Sequence, residues 1–236
     1  SVSRVAKYMD LMDTEAYLKM RKSAYENDGI IDFPADAYDV NGTWDENKYT
    51  NWQKEFLGGK AVSQSTQFSV GGGSGNTNYL FNAGHRKDET VFPGDYEYKR
   101  TNFGLNVNHK SKDDRFSLRI NILKRKKKNN LMATDLSNKI FLSPNAPELY
   151  DADGNLNWEN NTFENPLANL YAEYRFKSND SNGQLGMDYK ITENLIFKLN
   201  TGFNEASVDE WRTAPSKMYN PSYGIGSDSS ILSYST

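Results

Sequence analysis

Apolar and polar residues alternate along six stretches of the chain, and this pattern predicts six β-strands. The clearest stretch is Arg115 to Ile122, in which every second residue is a large apolar one. Side chains of a strand point to opposite faces in turn, whereas the 3.6-residue turn of a helix would mix the two sets. Each predicted strand therefore has one apolar and one polar face. The stretches are 66–70, 78–86, 102–109, 115–122, 184–191 and 195–204.

The joints between these strands are alternately short and long. Gly71–Asn76, Ser111–Asp114 and Thr192–Asn194 are tight turns, whereas Lys87–Arg100 and 124–181 are long. Successive joints of an antiparallel meander lie at opposite ends of the sheet, so all tight turns share one end. Short turns at one end and long loops at the other are typical of outer-membrane barrels. The predicted fold class is therefore all-β, a partial antiparallel transmembrane β-barrel of about six meander strands.

Short helices are predicted in the N-terminal and extracellular loop segments. The first helix is capped by Asp13 and stops near Gly29, and the second covers about Tyr49–Leu57 and ends at Gly58. The strands then divide the chain into three parts. We expect a helical and irregular extracellular insertion at 1–60, a barrel wall at 61–205 with a long loop at 124–181, and an extracellular loop segment at 206–236.

Composition agrees with this interpretation. The mean hydropathy of -0.81 is low, but only every second residue of a roughly 9–11-residue spanning strand must face lipid. Aromatic residues make up 13% of the chain, which suits the aromatic girdles of membrane interfaces. The net charge of -3 gives no reason to expect a nucleic-acid partner, and the absence of cysteine excludes disulfides and thiolate sites.

A soluble alternative accounts for the same alternation. In a carbohydrate-binding β-sandwich, the apolar faces of two sheets would form the core and the polar faces would meet water. Alternation does not separate the two folds, and only the one-sided long loops favour the membrane. A passive porin is a further alternative.

Motifs that suggest catalysis or metal binding are incomplete. Gly71–Thr77 lacks the Lys-Ser/Thr ending of a phosphate loop, and Asp151–Asn155 has its glycine too early for a calcium loop. His85 and His109 lie on apolar strand faces without triad partners, and Asp209-Glu210 has no defined opposing carboxylate. We expect no enzyme activity, no cofactor and no metal.

A basic run, Lys124–Lys128, allows two interpretations. At the outer end of a barrel strand, its lysines would lie near lipopolysaccharide phosphates, which attract Lys and Arg. The alternative is a solvated base of a loop.

Several sequence blocks, in order along the chain, resemble the SusC/RagA family of TonB-dependent outer-membrane transporters. These blocks are Leu11–Leu18, Tyr49–Glu55, Glu89–Asp95, Ser143–Tyr150, Asp153–Asn161 and Asn165–Ala168.

This resemblance implies an importer of glycans or peptides in the cell outer membrane. Its partners would be a SusD-like surface lipoprotein, outer-membrane lipid or lipopolysaccharide, and the TonB protein, which acts through an N-terminal part that this chain does not contain. No plug, TonB box or closing strand is recognisable, so we expect the chain to be an internal piece of the early barrel.

Two groups of residues are candidates for function. In the barrel interpretation, the lumen would be lined by Asn82, Asn106, Arg119, Asp188 and Lys198. Aromatic rings in the long loops would contact a sugar or a lipoprotein, or pack within the barrel mouth. These loop aromatics are Tyr150, Trp158, Trp211 and Tyr219.

Overall fold

A computed structural model describes residues 1–226 and 230–235, and it confirms the all-β prediction. Its described strands form one antiparallel, eight-stranded sheet in which neighbours in the sheet are also neighbours in the chain. Between the first and last of these strands the sheet is open. The strands are β1 (Val2–Ser3), β2 (Ala61–Ser74), β3 (Thr77–Glu89), β4 (Glu97–Lys110), β5 (Phe116–Met132), β6 (Glu173–Thr192), β7 (Leu195–Pro215) and β8 (Ser230–Ser235).

The predicted hairpins are all present. β2 joins β3 through Gly75 and Asn76, β4 joins β5 through 111–115, and β6 joins β7 through 193–194. Gly71–Ser74, expected in the first turn, instead continue β2, where Ser74 pairs with Thr77. These turns lie at one end of the sheet, here termed the turn end. The longer joints lie at the opposite end, termed the loop end.

The strands are longer at the loop end than predicted. The predicted bounds of the long loop, 124–181, are wrong at both ends, because β5 continues to Met132 and β6 begins at Glu173. Likewise, β7 continues to Pro215 within the predicted loop segment at 206–236, and β8 follows. These extensions carry polar residues on both faces, so no hydrophobic alternation marks them. The antiparallel backbone ladder holds them instead, as in the pairing of Lys126 with Asn179.

Strand register collects the apolar residues on one face of the sheet. Leu105 of β4 pairs with Phe81 on one side and Ile122 on the other, and Ile120 pairs with Leu185. This surface is termed the apolar face, and the opposite surface the polar face. Members of the apolar face are Phe68, Val70, Phe81, Phe103, Leu105, Ile120, Ile122, Leu185, Met187, Phe197 and Leu199.

The apolar face is uncovered. Phe68 and Phe203 are 58% and 57% exposed, and Phe197 is 47% exposed. No second sheet packs on this face within the described residues. The buried core of the molecule therefore lies elsewhere.

Helices and loops at the loop end form a separate packed body, termed the cap, from residues 4–60, 133–172 and 216–226. Both predicted helices are confirmed. Asp13 accepts a hydrogen bond from the Ala16 amide at the start of α1 (Thr14–Asn27), and Gly58 ends α2 (Trp52–Leu57). Short 3₁₀-helices cover Ser137–Phe141, Glu159–Asn161, Pro166–Tyr171, Ser216–Met218 and Pro221–Tyr223. None of the helices described is long and apolar enough to cross a bilayer.

The cap has its own hydrophobic core, drawn from segments far apart in the sequence. Trp52 donates its indole N–H to the Ser143 carbonyl at 2.8 Å, and Trp44 donates to Thr162 Oγ1 at 3.0 Å. Packing of these rings and pairing of their polar atoms hold the 4–60 segment against the 133–172 segment. The core residues are Trp52, Phe56, Leu136, Ala146, Leu156, Phe163, Leu167 and Ala168.

Candidate functional site

The polar face of the sheet carries a ladder of amide side chains. Asn106 pairs with Asn121, and Asn121 pairs with Gln184 on the next strand. By register, the five residues proposed for a lumen all lie on this face, although Leu80 and Leu123 interrupt its polar character. Those five are Asn82, Asn106, Arg119, Asp188 and Lys198.

Glycines let these polar side chains lie along the sheet. A Cβ atom at Gly104 would stand 2.6 Å from Asn82 Oδ1, and one at Gly186 would stand 3.1 Å from both Arg119 Nη2 and Asn200 Oδ1. The glycines therefore provide the space that the neighbouring side chains occupy. A shallow depression of about 580 Å³ lies over this region of β4 to β7.

Several charged groups on the polar face form ion pairs with one another. Arg119 Nη1 lies 3.0 Å from Asp188 Oδ2, which also accepts a hydrogen bond of 3.1 Å from Ser117 Oγ. Lys198 pairs with Asp188 across the strands. The Arg119 side chain is 53% exposed, so water screens this ion pair and it adds little stability. The face thus offers water and solutes both donors and acceptors.

A second concave surface, termed the cap groove, lies between residues 151–161 and 216–225 and has a volume of about 870 Å³. It brings together Trp158 and Tyr219, two of the aromatic residues singled out from the sequence. A third ring, Tyr171, also lines it, with Lys217 Nζ 4.4 Å from the ring centroid. Asn157 and Glu159 also line the groove.

Backbone strain shapes one wall of the cap groove. Glu159, Asn160 and Asn161 have φ angles of 42°, 53° and 71°, which are uncommon for residues with side chains. Asn157 Oδ1 accepts a bond of 2.9 Å from the Glu159 amide, and Asn220 Nδ2 donates to Asn161 Oδ1 at 2.9 Å. Such strain persists only where surrounding contacts hold it, and it is concentrated at functional sites.

Two of the predicted aromatic residues lie outside the cap groove. Tyr150 is 52% exposed and forms a β-bridge with Leu156. Trp211 was expected in a loop but lies in β7, with Lys177 Nζ 4.8 Å from its ring centroid. The four residues therefore do not form one site, because the extension of β7 carries Trp211 into the sheet.

Tyr171 is an aromatic residue of the groove that the sequence did not identify. Its neighbours Trp158 and Lys217 come from separate cap segments, and only the folded cap brings them together. No local pattern around Tyr171 marks it, since it ends a short 3₁₀-helix rather than a recognisable motif.

Hydrogen bonds explain several residues that resemble catalytic or metal-binding groups. His85 Nδ1 lies 2.9 Å from Thr101 Oγ1, and His109 Nδ1 lies 2.7 Å from Thr77 Oγ1. Asp151 Oδ1 accepts the amides of Asp153 and Asn155, which forms the turn predicted there. Across the described residues, no three His, Cys, Asp or Glu side chains are grouped as metal ligands would be.

Electrostatics within the cap centre on Asp39. Burial raises the pKa of this carboxyl, but hydrogen bonds from Arg21 Nε at 2.8 Å and Tyr17 Oη at 2.9 Å outweigh burial and hold the pKa below its usual value. Conversely, burial raises the pKa of the Tyr17 phenol. Asp39 is therefore ionised at neutral pH and ties α1 to the rest of the cap.

No protein-family model matches the chain, and no curated protein matches it.

Proposed function

We propose that the chain is part of a TonB-dependent outer-membrane transporter of the SusC/RagA type. In this proposal the sheet is a section of a transmembrane barrel wall, the polar face lines the lumen, and the cap forms the extracellular mouth. The observation that carries the proposal is the uncovered apolar face, which extends across the six strands β2 to β7, from Phe68 to Phe203.

A contiguous apolar surface of this kind calls for a partner. Soluble monomers rarely expose apolar patches larger than a few hundred Å². Here large rings and branched side chains stand exposed, at 47% for Phe103 and 41% for Ile122. Hydrocarbon tails would cover such a face without a second protein layer, and the backbone groups are already paired strand to strand.

Strand length agrees with the proposal. β6 has 20 residues and β7 has 21, whereas a tilted strand crosses a bilayer in roughly 9–11. The apolar residues occupy the half of each strand nearest the turn end, as in Leu195 to Phe203 of β7. The charged half would project beyond the membrane and support the cap.

The polar face suits hydrophilic cargo. Its amide ladder and paired charges offer hydrogen bonds to sugars or peptide groups, and a wet lumen of this kind suits glycans or peptides better than lipids. The SusD-like lipoprotein partner and the coupling to TonB rest on the sequence resemblance alone.

The rival function is a soluble carbohydrate-binding β-sandwich. That fold needs a second sheet over the apolar face, and the described strands all belong to one sheet. This observation favours the transporter. A detergent-free, monomeric and cooperatively folding preparation would favour the rival instead.

Cysteine labelling tests the proposal directly, because the chain has no cysteine of its own. Leu199 and Asn200 are adjacent on β7 but lie on the apolar and polar faces respectively. In the full-length protein embedded in membranes, with any cysteine outside this chain replaced by serine, we expect a membrane-impermeant maleimide to label Asn200→Cys through the water-filled lumen. Leu199→Cys should stay unlabelled until detergent is added. Equal labelling of both positions in intact membranes would contradict the membrane assignment.

The role of the cap groove has its own test. We expect Trp158→Ala to weaken uptake of the transported glycan or peptide roughly 10-fold. This corresponds to the loss of about 1.4 kcal/mol of binding free energy from the ring contact. Tyr150→Ala is the matched control, since this ring is exposed but lies outside the groove. Growth of producing cells on a panel of oligosaccharides and peptides measures the effect. Normal growth and normal lipoprotein binding with Trp158→Ala would exclude the groove from transport.

A further inference from the structure

Strand alternation divides the basic run of β5 between the two faces of the sheet. Lys124, Lys126 and Lys128 continue the outward row of Ile120 and Ile122. The intervening Arg125 and Lys127 belong to the polar face. What reads as one run in the sequence is therefore two separate rows of charge.

Neighbouring strands enlarge the outward row. Lys128 pairs with Lys99 of β4 and with Lys177 of β6. The cross-strand neighbours of Lys124 and Lys126 are uncharged, so no carboxylate stands directly beside either. Those neighbours are Phe103, Thr101, Ser181 and Asn179. The resulting surface is termed the lysine patch and consists of Lys99, Lys124, Lys126, Lys128 and Lys177.

Most of the lysine patch lacks internal partners. In the part of the chain that the structure describes, no ion pair involves Lys124, Lys126 or Lys128. By contrast, Lys127 on the polar face lies 3.7 Å from Asp180. At the margins of the patch, Lys99 is paired with Glu97. At the opposite margin, the ammonium group of Lys177 lies over the Trp211 ring, and Asp209 is the cross-strand neighbour of Lys177.

The position of the patch points to its ligand. Lys124 follows directly on the last residue of the apolar row, Ile122, at the side of the band nearest the loop end. Lysine side chains at such a boundary lay their methylene stems on apolar surface and extend the ammonium group to the polar layer. Where hydrocarbon ends, the next layer of a bilayer is its headgroups, and phosphate is the anion they present.

We propose that the lysine patch binds the phosphate groups of anionic bilayer lipids at the rim of the apolar face. This inference rests on the proposed membrane function, because it needs the apolar face to lie in lipid. Bound headgroups would neutralise the ammonium groups of Lys124, Lys126 and Lys128 and hold the barrel wall at a fixed depth.

A pair of matched double variants tests the proposal. Lys124→Gln with Lys126→Gln removes two outward charges, and Arg125→Gln with Lys127→Gln removes two charges from the same run on the polar face. Full-length protein in neutral detergent is titrated with phosphatidylglycerol or phosphatidylcholine, and native mass spectrometry counts the bound lipid. We expect the outward variant to bind phosphatidylglycerol about 30-fold more weakly, which corresponds to about 1 kcal/mol per lysine.

The control variant should retain the affinity of the unsubstituted protein, and phosphatidylcholine binding should not change in either. Equal losses in both variants would show a general charge effect and overturn the proposal, as would unchanged binding in the outward variant. Displacement of the lipid by inorganic phosphate alone would show a site for free phosphate and overturn it too. The cysteine labelling at Leu199 reports separately on the membrane assignment, so a failure there is distinguishable from a failure here.

Discussion

Single polar residues determine how the cap holds together. Asp39 is the clearest case. Its carboxylate accepts hydrogen bonds from Arg21 and Tyr17, and its backbone carbonyl accepts a hydrogen bond of 3.0 Å from Asn145 Nδ2. One residue thus connects α1, the 30–47 segment and the loop between β5 and β6. Sequence reading identified Asp13 as a helix cap, but it passed over Asp39, because the partners of Asp39 lie 18 to 106 residues away.

We expect Asp39→Asn to destabilise the cap by about 1.5–3 kcal/mol at neutral pH, since it removes charge-assisted hydrogen bonds. Asp36→Asn, an exposed position nearby, is the control and should have little effect. Hydrogen exchange of the α1 amides measures both. Protection of α1 that is the same in the two variants would contradict this role.

Acid should weaken the cap of the unsubstituted protein through the same carboxyl. The pKa of Asp39 is lower in the folded state than in an unfolded chain. Its contribution is therefore fully present above the unfolded pKa, and it is lost as the pH falls through the folded pKa. The difference between the unsubstituted protein and Asp39→Asn should shrink over that range. A difference in α1 exchange that stays constant into strong acid would contradict the assignment.

The long strands of the sheet each have two parts that differ in sequence pattern. Near the turn end, every second residue is apolar, and sequence alternation predicted the strands and their tight turns. Toward the loop end, β5, β6 and β7 carry polar residues on both faces without regular apolar alternation, and the sequence there resembles a loop. Backbone pairing with a neighbouring strand stabilises these extensions. Because neither face of an extension has to be apolar, its sequence shows no alternation of apolar and polar residues.

An arginine introduced on either face of β5 would distinguish a lipid-facing surface from a water-facing one. Ile120 pairs with Val107 and Leu185 in the middle of the apolar face, and Asn121 follows on the polar face. We expect Ile120→Arg to cost about 2–4 kcal/mol in a bilayer, as arginine does at the midplane of a barrel. Asn121→Arg should cost less than about 1 kcal/mol. Urea unfolding of the full-length protein in vesicles measures both costs, and equal values would argue against lipid on the apolar face.

The molecule consists of a sheet and a cap, and the hydrophobic core lies in the cap. Because the buried residues of the cap take no part in the strand ladders, cap and sheet should loosen independently. This arrangement suits a wall stabilised by lipid and a mouth stabilised by its own packing.

Leu136→Ala tests this independence. Leu136 is fully buried in the cap core, and its truncation should cost about 2–5 kcal/mol. We expect limited proteolysis to cleave the cap while the sheet stays resistant in membranes. Phe141→Ala, at a position 64% exposed, is the control. Simultaneous loss of cap and sheet with Leu136→Ala would show that the two bodies fold as one.

The sequence by itself determined the features that arise between near neighbours in the chain. Alternation at period two defined the two faces, glycine and polar pairs placed the hairpin turns, and Asp13 and Gly58 marked helix ends, because each depends on contacts a few residues apart. Tertiary structure alone decided the cap core, the cap groove, the strand extensions and the division of the Lys124–Lys128 run. Each of these depends on which distant segments pack or pair, and long-range pairing is not encoded in local pattern.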